Sequence, residues 1–318
     1  MIVITKKKII IVSIVFAVTI VICLCAFLVI KHYNKMSQID LKNTIPYGYG
    51  KEAKVIIIAG QSNAAGWSHN DYLEKNVSKE QYKKYKNGFD NIYINYFGGL
   101  DNKSDSFVKC KVCQGESDKT FGPELGIAEK LNELYPDETF FIIKWAWGGT
   151  NLYEEWRSPG EEGNLGGPLY QSFVEYVRNS LEFLELKNYN IKIESMCWMQ
   201  GESDSLNKQT ALDYELNLSN FISDIRREFE GYSSNDGIAF IDAYIADSVY
   251  WTYYQDINHA KQKVADSSPI NVVIDTISYG LTVDKEPKNN PDLAHYDSLS
   301  EIKLGHLFAE ESVKFFDD

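Results

Sequence analysis

The chain has 318 residues, a formal net charge of −13 and 24% charged residues. An acidic protein of this kind repels phosphate backbones and anionic lipid surfaces, so nucleic acid is excluded as a partner. Five cysteines in a chain this long do not make a disulfide framework.

Taken in chain order, the first element is apolar. Lys6-Lys7-Lys8 precede a run from Ile9 to Ile30 with no charge and no proline. As a helix this run rises about 33 Å, roughly a bilayer core. A cleaved signal peptide has a shorter apolar core and a small-x-small cleavage site, and neither is evident. Cys23 and Cys25 lack the small residue that precedes a lipidated cysteine. No polar face marks the run as an amphipathic core helix. Residues 1–30 therefore read as an uncleaved signal anchor, one transmembrane helix with the lipid bilayer as its partner. Its lysines would be cytoplasmic and the rest of the chain extracytoplasmic. Secretion after cleavage is the alternative. Residues 31–50 read as a polar linker, and residues 51–318 suit one domain with a full core.

Within that domain, apolar runs predict strands at Val55–Ala59, Ile92–Phe97, Thr139–Trp145, Ile193–Met199, Ile238–Ile241 and Asn271–Thr276. Helical patterns fall at Glu124–Leu134, Leu169–Leu186, Ala211–Phe229, Gln255–Ala265 and Leu299–Phe316. Strands alternating with helices predict an α/β fold, with a parallel sheet covered on both faces. The polar stretch 67–120 breaks this alternation and reads as an insertion, with Ile92–Phe97 an extra short strand. Cys110 and Cys113 lie in it as a single pair. No second pair completes a zinc site, so a local disulfide or free thiols are expected, and no metal. Cys197, in an apolar run, reads as core.

The polar motifs each follow a strand. Gly60-Gln61-Ser62-Asn63 follows the first. Gly148-Gly149-Thr150-Asn151 follows the run ending near Trp147. Gln200-Gly201-Glu202-Ser203-Asp204 follows Met199. Asp292 and His295 lie beyond the last strand, before the final helix. In a doubly wound sheet all these ends share one edge, where ligands bind.

The residue types then assign roles. Ser62 needs a base to become a nucleophile. His295 can be that base, and Asp292 can orient it and stabilise the imidazolium, the logic of a Ser-His-Asp triad. An oxyanion formed on attack needs donors. Candidates are the backbone N–H of Ser62, a backbone N–H of Gly148 or Gly149, and the side-chain amide of Gln200. Gln61, Asn63, Glu202 and Glu124 are taken as supporting or substrate-binding residues. Asp204 is read as orienting its neighbours.

These blocks resemble the SGNH-type hydrolases of the sialate O-acetylesterase and carbohydrate esterase family six group. Gly60-Gln61-Ser62-Asn63, Gly148-Gly149-Thr150, Gln200-Gly201-Glu202-Ser203-Asp204 and Asp292-x-x-His295 carry the resemblance, with Phe121-Gly122-Pro123-Glu124 beside them. It spans roughly residues 53–316. It implies a flavodoxin-like three-layer α/β/α fold and removal of acetyl groups from sugars such as acetylated xylan or sialic acid, without a cofactor. In the wider superfamily an asparagine of the third block donates to the oxyanion, and the glutamine-bearing branch implies Gln200 here. The stretch 67–120 has no counterpart in the family pattern.

Other histidines are read as structural: His259 and His306 on helices, His69 in a polar loop and His32 at the membrane flank. Of Trp145 and Trp147, one is expected in the core and the other beside the sugar. Two readings compete with a sugar esterase: a carbohydrate-binding module on the same fold, and a lipase or thioesterase of the same superfamily.

Overall fold

The computed structural model describes residues 45–160, 164–233 and 237–316. The anchor and residues 31–44 of the linker lie outside the described residues. Among those described, no helix is long and apolar enough to cross a membrane. Residues 45–50, assigned above to the linker, belong to the fold instead. Ile45 is buried, and Gly48 and Gly50 donate backbone hydrogen bonds to Lys187 O and Asn188 O, both at 2.7 Å.

In chain order the strands are β1 (Glu52–Gly60), β2 (Ser68–His69), β3 (Ile92–Phe97), β4 (Val108–Lys109), β5 (Thr120–Phe121), β6 (Phe140–Ala146), β7 (Asn190–Met199), β8 (Ala239–Ala243) and β9 (Asn271–Ile274). The helices are α1 (Ser62–Ala65), α2 (Asn70–Asn76), α3 (Lys79–Asn87), α4 (Pro123–Leu134), α5 (Pro168–Leu186), α6 (Lys208–Glu228), α7 (Tyr254–Asp266) and α8 (Ser298–Ser312). Seven strands form one sheet in the order β4-β3-β6-β1-β7-β8-β9, parallel except for β4. β2 and β5 pair antiparallel as a separate two-stranded sheet.

The centre of the sheet is apolar on both faces because helices cover both. Ile56, Ile57 and Ile58 of β1 are fully buried, and every residue of β6 is buried. That double burial is why the centres of these strands read as apolar runs rather than alternating ones, with Lys144 the one charged residue inside β6. The helices show the complementary pattern. α6 buries Tyr214, Leu218, Phe221, Ile222 and Ile225, one stripe at helical spacing. α4 begins on Pro123, whose fixed φ and missing N–H suit a first helical position.

The insertion is structured. It supplies α2, α3 and β3, and β3 adds to the sheet edge beside β6 in parallel register, Ile92 opposite Phe140. Cys110 and Cys113 are free thiols, so the local disulfide is not formed. Burial pushes the Cys110 thiol well up. Cys197 is fully buried, as expected.

The strand order locates the site. After β1 the chain builds β3 and β6 on one side, then crosses to build β7, β8 and β9 on the other. The crevice where the order reverses opens at the carboxyl ends of β1, β6 and β7. Those are the ends that carry Ser62, Gly148 and Gln200.

Candidate active site

Gly60 ends β1 with φ +141°, and a Cβ there would stand 2.0 Å from Met199 O. Only glycine fits so close to β7 in that conformation. Gln61 follows with its N–H on Met199 O at 3.0 Å, and Ser62 opens α1. The Ser62 hydroxyl makes no hydrogen bond among the described residues. As the first helical residue its N–H has no partner one turn back.

Asn63 joins the serine to the histidine. Its Nδ2 donates to Glu202 Oε1 at 2.6 Å and to Ala294 O at 3.4 Å, and its Oδ1 accepts the Tyr296 N–H at 3.1 Å. The residues on both sides of His295 are thus held by the residue after Ser62. Leu293, at φ +63°, turns the chain so that Asp292 lies back against His295. Asp292 Oδ1 accepts the N–H groups of Ala294 and His295 at 2.9 and 3.2 Å. Its Oδ2 meets His295 Nδ1 at 2.8 Å. Partial burial raises the Asp292 carboxyl, but the hydrogen bond and charge of His295 outweigh it, and the net shift is down. Asp292 is therefore an ionised acceptor, and His295 Nδ1 carries the proton that faces it. The other face of the imidazole stacks on Trp67, with ring centres 4.6 Å apart and planes at 9°.

Gly148 closes the far side. A Cβ built on it would lie 3.5 Å from Ser62 Cβ, 3.6 Å from Glu116 Oε2 and 3.7 Å from Trp67 Nε1. Gly149 departs from expectation: it is exposed, and a Cβ there would meet nothing within 4 Å. Thr150 anchors this turn through Oγ1, which donates to Trp147 O at 2.7 Å and accepts Trp156 Nε1 at 2.9 Å.

The Gln200 amide is also placed differently from expectation. It is fully buried, and its Nε2 donates to Asp204 Oδ2 at 2.6 Å, Thr150 O at 3.0 Å and Gln61 Oε1 at 3.3 Å. Its two N–H groups are committed inside the protein, where they tie the serine and glycine blocks together. Asp204 accepts the N–H groups of Leu152 and Tyr153 as well, and burial pushes its carboxyl up to about 6. Glu202 is 1% exposed, its second oxygen has no partner among the described residues, and burial raises its pKa.

Glu124 lies under the site. It is fully buried, so it touches no substrate. Its Oε1 accepts the Gly122 N–H at 2.8 Å and its Oε2 binds Lys144 Nζ at 2.8 Å. Lys144 Nζ also donates to Ala65 O at 3.0 Å and Gln114 O at 2.5 Å. A buried ammonium with three acceptors thereby pins the end of α1 to the insertion. Sequence reasoning missed this lysine, since it sits inside an apolar run.

His32 lies outside the described residues, and His69, expected in a polar loop, ends β2 instead. His259 is exposed on α7, His69 is exposed beside Tyr72, and His306 meets Glu129 at 2.9 Å. Trp145 is buried, while Trp147 lines a cavity of about 250 Å³ beside Gly148. Glu116 lines the same cavity. Its sequence signal is slight, one acid after Gly115 in a polar stretch. No group of three or more potential metal ligands is present among the described residues.

The profile of the carbohydrate esterase family described as sialic acid-specific acetylesterase matches residues 52–314. The chain belongs to this family. It is 24% identical over 192 residues to a probable 9-O-acetyl-N-acetylneuraminic acid deacetylase of Escherichia coli (strain K12). That match covers 54% of this chain and 57% of the relative, so the chain spans little more than half of that relative's length. A solved protein of Arabidopsis thaliana superposes with a TM-score of 0.60 at 19% identity, covering 83% of this chain and 99% of the other. NanS superposes at 0.57 and 19% identity, covering 86% and 99%. At such identities the two structures speak for the fold alone, mixed α/β with a mostly parallel central sheet.

Proposed function

We propose that the chain is a serine esterase that removes O-acetyl groups from carbohydrates through an acetyl-enzyme intermediate. The observation that carries this reading is the Asp292–His295 pair, hung through Asn63 beside an unbonded Ser62 at the crevice where the strand order reverses. Without the insertion strand β3, the parallel order is the flavodoxin-like one with β6 second, which supports an SGNH-type arrangement. Family membership supports the chemistry.

In this mechanism Ser62 Oγ attacks the acetyl carbonyl and His295 Nε2 takes its proton. Asp292 holds the tautomer with Nδ1 protonated, which leaves Nε2 free to accept. The N–H groups of Ser62 and Gly148 are the proposed oxyanion donors. Collapse breaks the ester bond, and His295 returns the proton to the departing sugar oxygen. Water then attacks the acetyl-enzyme with His295 again as base, releasing acetate. Gln61, Gln200 and Glu202 hold this geometry from beneath. The apolar run Ile9–Ile30 would fix the enzyme to a membrane with this domain extracytoplasmic.

Competition between acetyl and octanoyl p-nitrophenyl esters tests the acyl class. A long acyl chain needs an apolar groove to bind. Faster octanoyl turnover would instead favour a lipase. Rapid quenching during acetyl turnover should leave an acetyl group on the Ser62 peptide in mass spectra, and a label elsewhere would refute the nucleophile.

A further inference from the structure

The insertion brings near the serine a carboxylate, Glu116, whose Oε2 has no hydrogen-bond partner among the described residues. The Glu116 N–H donates to Gly66 O at 2.9 Å, which fixes the backbone against the loop leaving α1. Its Oε2 faces the spot beside Gly148 that Ser62 Cβ also faces, at 3.6 and 3.5 Å. This oxygen is buried and makes no hydrogen bond among the described residues. A buried acceptor left unpaired is destabilising, and a ligand hydroxyl would satisfy it. The cavity it lines also holds Asp101, Leu100 and Trp147, and no lysine or arginine lines it. Lys103, close by in sequence, sits instead over the ring of Phe97, 6.0 Å from its centre.

Such a wall accepts hydrogen bonds and carries negative charge. A sugar hydroxyl next to the acetyl ester can donate to it. A sugar carboxylate meets like charge and finds no lysine or arginine on the wall. We propose that Glu116 is a specificity-determining residue that takes a free hydroxyl of an uncharged acetylated sugar and discriminates against acidic sugars. This inference rests on the esterase reading and narrows its substrate class, away from the acidic sugar in the family's description.

The test uses the full-length chain and a matched pair of substrates, 9-O-acetyl-N-acetylneuraminic acid and its C1 methyl ester. The two carry the same acetate and differ in one charge. An acetylated methyl xyloside and p-nitrophenyl acetate run alongside. Acetate release should give a kcat/KM about tenfold higher for the methyl ester than for the free acid, as expected for like charges in a partly solvated site. Raised salt should shrink that ratio. Glu116→Gln, which keeps the shape and removes the charge, should bring the ratio several-fold nearer to one, in line with the loss of that repulsion.

A wild-type ratio at or below one overturns the proposed substrate class, however the variant folds. A wild-type preference for the neutral sugar that Glu116→Gln leaves intact overturns the role of Glu116. Failure to release acetate from every ester, p-nitrophenyl acetate included, would instead remove the esterase reading beneath it.

Discussion

Asn63 Oδ1 accepts the Tyr296 N–H at 3.1 Å, so the neighbour of the serine holds the neighbour of the histidine across 233 positions of sequence. The same side chain donates to Glu202 Oε1 at 2.6 Å. One amide thus fixes the distance between the two halves of the site.

Asn63→Ala unpairs the Tyr296 N–H and strips Glu202 of its donor. Leaving buried polar groups unsatisfied costs about 1–3 kcal/mol. Urea unfolding should show that loss. The rate should suffer more than the stability, since a misplaced base can lower turnover on the order of 100-fold. A normal kcat in folded Asn63→Ala would show that the clamp does not position His295.

Trp67 stacks on the His295 ring while remaining 38% exposed. Trp67→Ala removes that support and opens the imidazole to water. An aromatic stack is worth about 0.5–1.5 kcal/mol, so a loss of up to about tenfold in kcat is expected. Trp67→Phe should recover most of it. Equal rates for all three proteins would place the stack outside the mechanism.

Most of the sheet was legible because its strands are buried on both faces. Val55–Ala59 has no polar interruption and Ile193–Met199 only Glu194 and Ser195, and the structure extends each run by three residues at its N-terminal end. The insertion helices were not legible. Among its nine residues, α3 buries only Tyr82 and Tyr85, too little apolar pattern to show a period. Ser62 stood out because it follows the end of β1, whereas Asp292 and His295, in the long loop between β9 and α8, stood out by residue type and spacing alone. What Gln200 does was not: whether an amide faces the cleft or the interior depends on where Thr150 and Asp204 lie, and only the fold brings those close. Glu116 stayed hidden for the same reason, since only the fold brings it beside Gly148 in the loop after β6.

Lys144 is fully buried against Glu124, Ala65 O and Gln114 O. Lys144→Met leaves Glu124 charged and unpaired in the core. Breaking a buried pair from one side costs about 3–5 kcal/mol. The double variant Lys144→Met with Glu124→Gln should regain part of that, read from thermal or urea unfolding. Additive losses in the double variant would mean that the two groups do not act as a pair.

Asp204 keeps its proton to about pH 6 when folded, against an ordinary value of 3.8, because burial outweighs its three donors. In the unfolded chain it ionises near its ordinary value. Between these points the unfolded state binds fewer protons, so stability falls as pH rises. Relative to Asp204→Asn, wild type should lose stability on the order of 2 kcal/mol from about pH 4 to about pH 6, and little beyond. Urea midpoints across that range check the sign. A difference that grows with pH would mean that Asp204 is ionised and paired in the folded state.

The most direct test of the central claim is acetate release from an acetylated sugar by wild type and Ser62→Ala, with folding checked by near-UV circular dichroism. Wild type should release acetate, and the folded variant should retain no more than about a thousandth of its rate. Equal release by folded Ser62→Ala would contradict the central claim, because no other group in the site is placed to form the acetyl-enzyme.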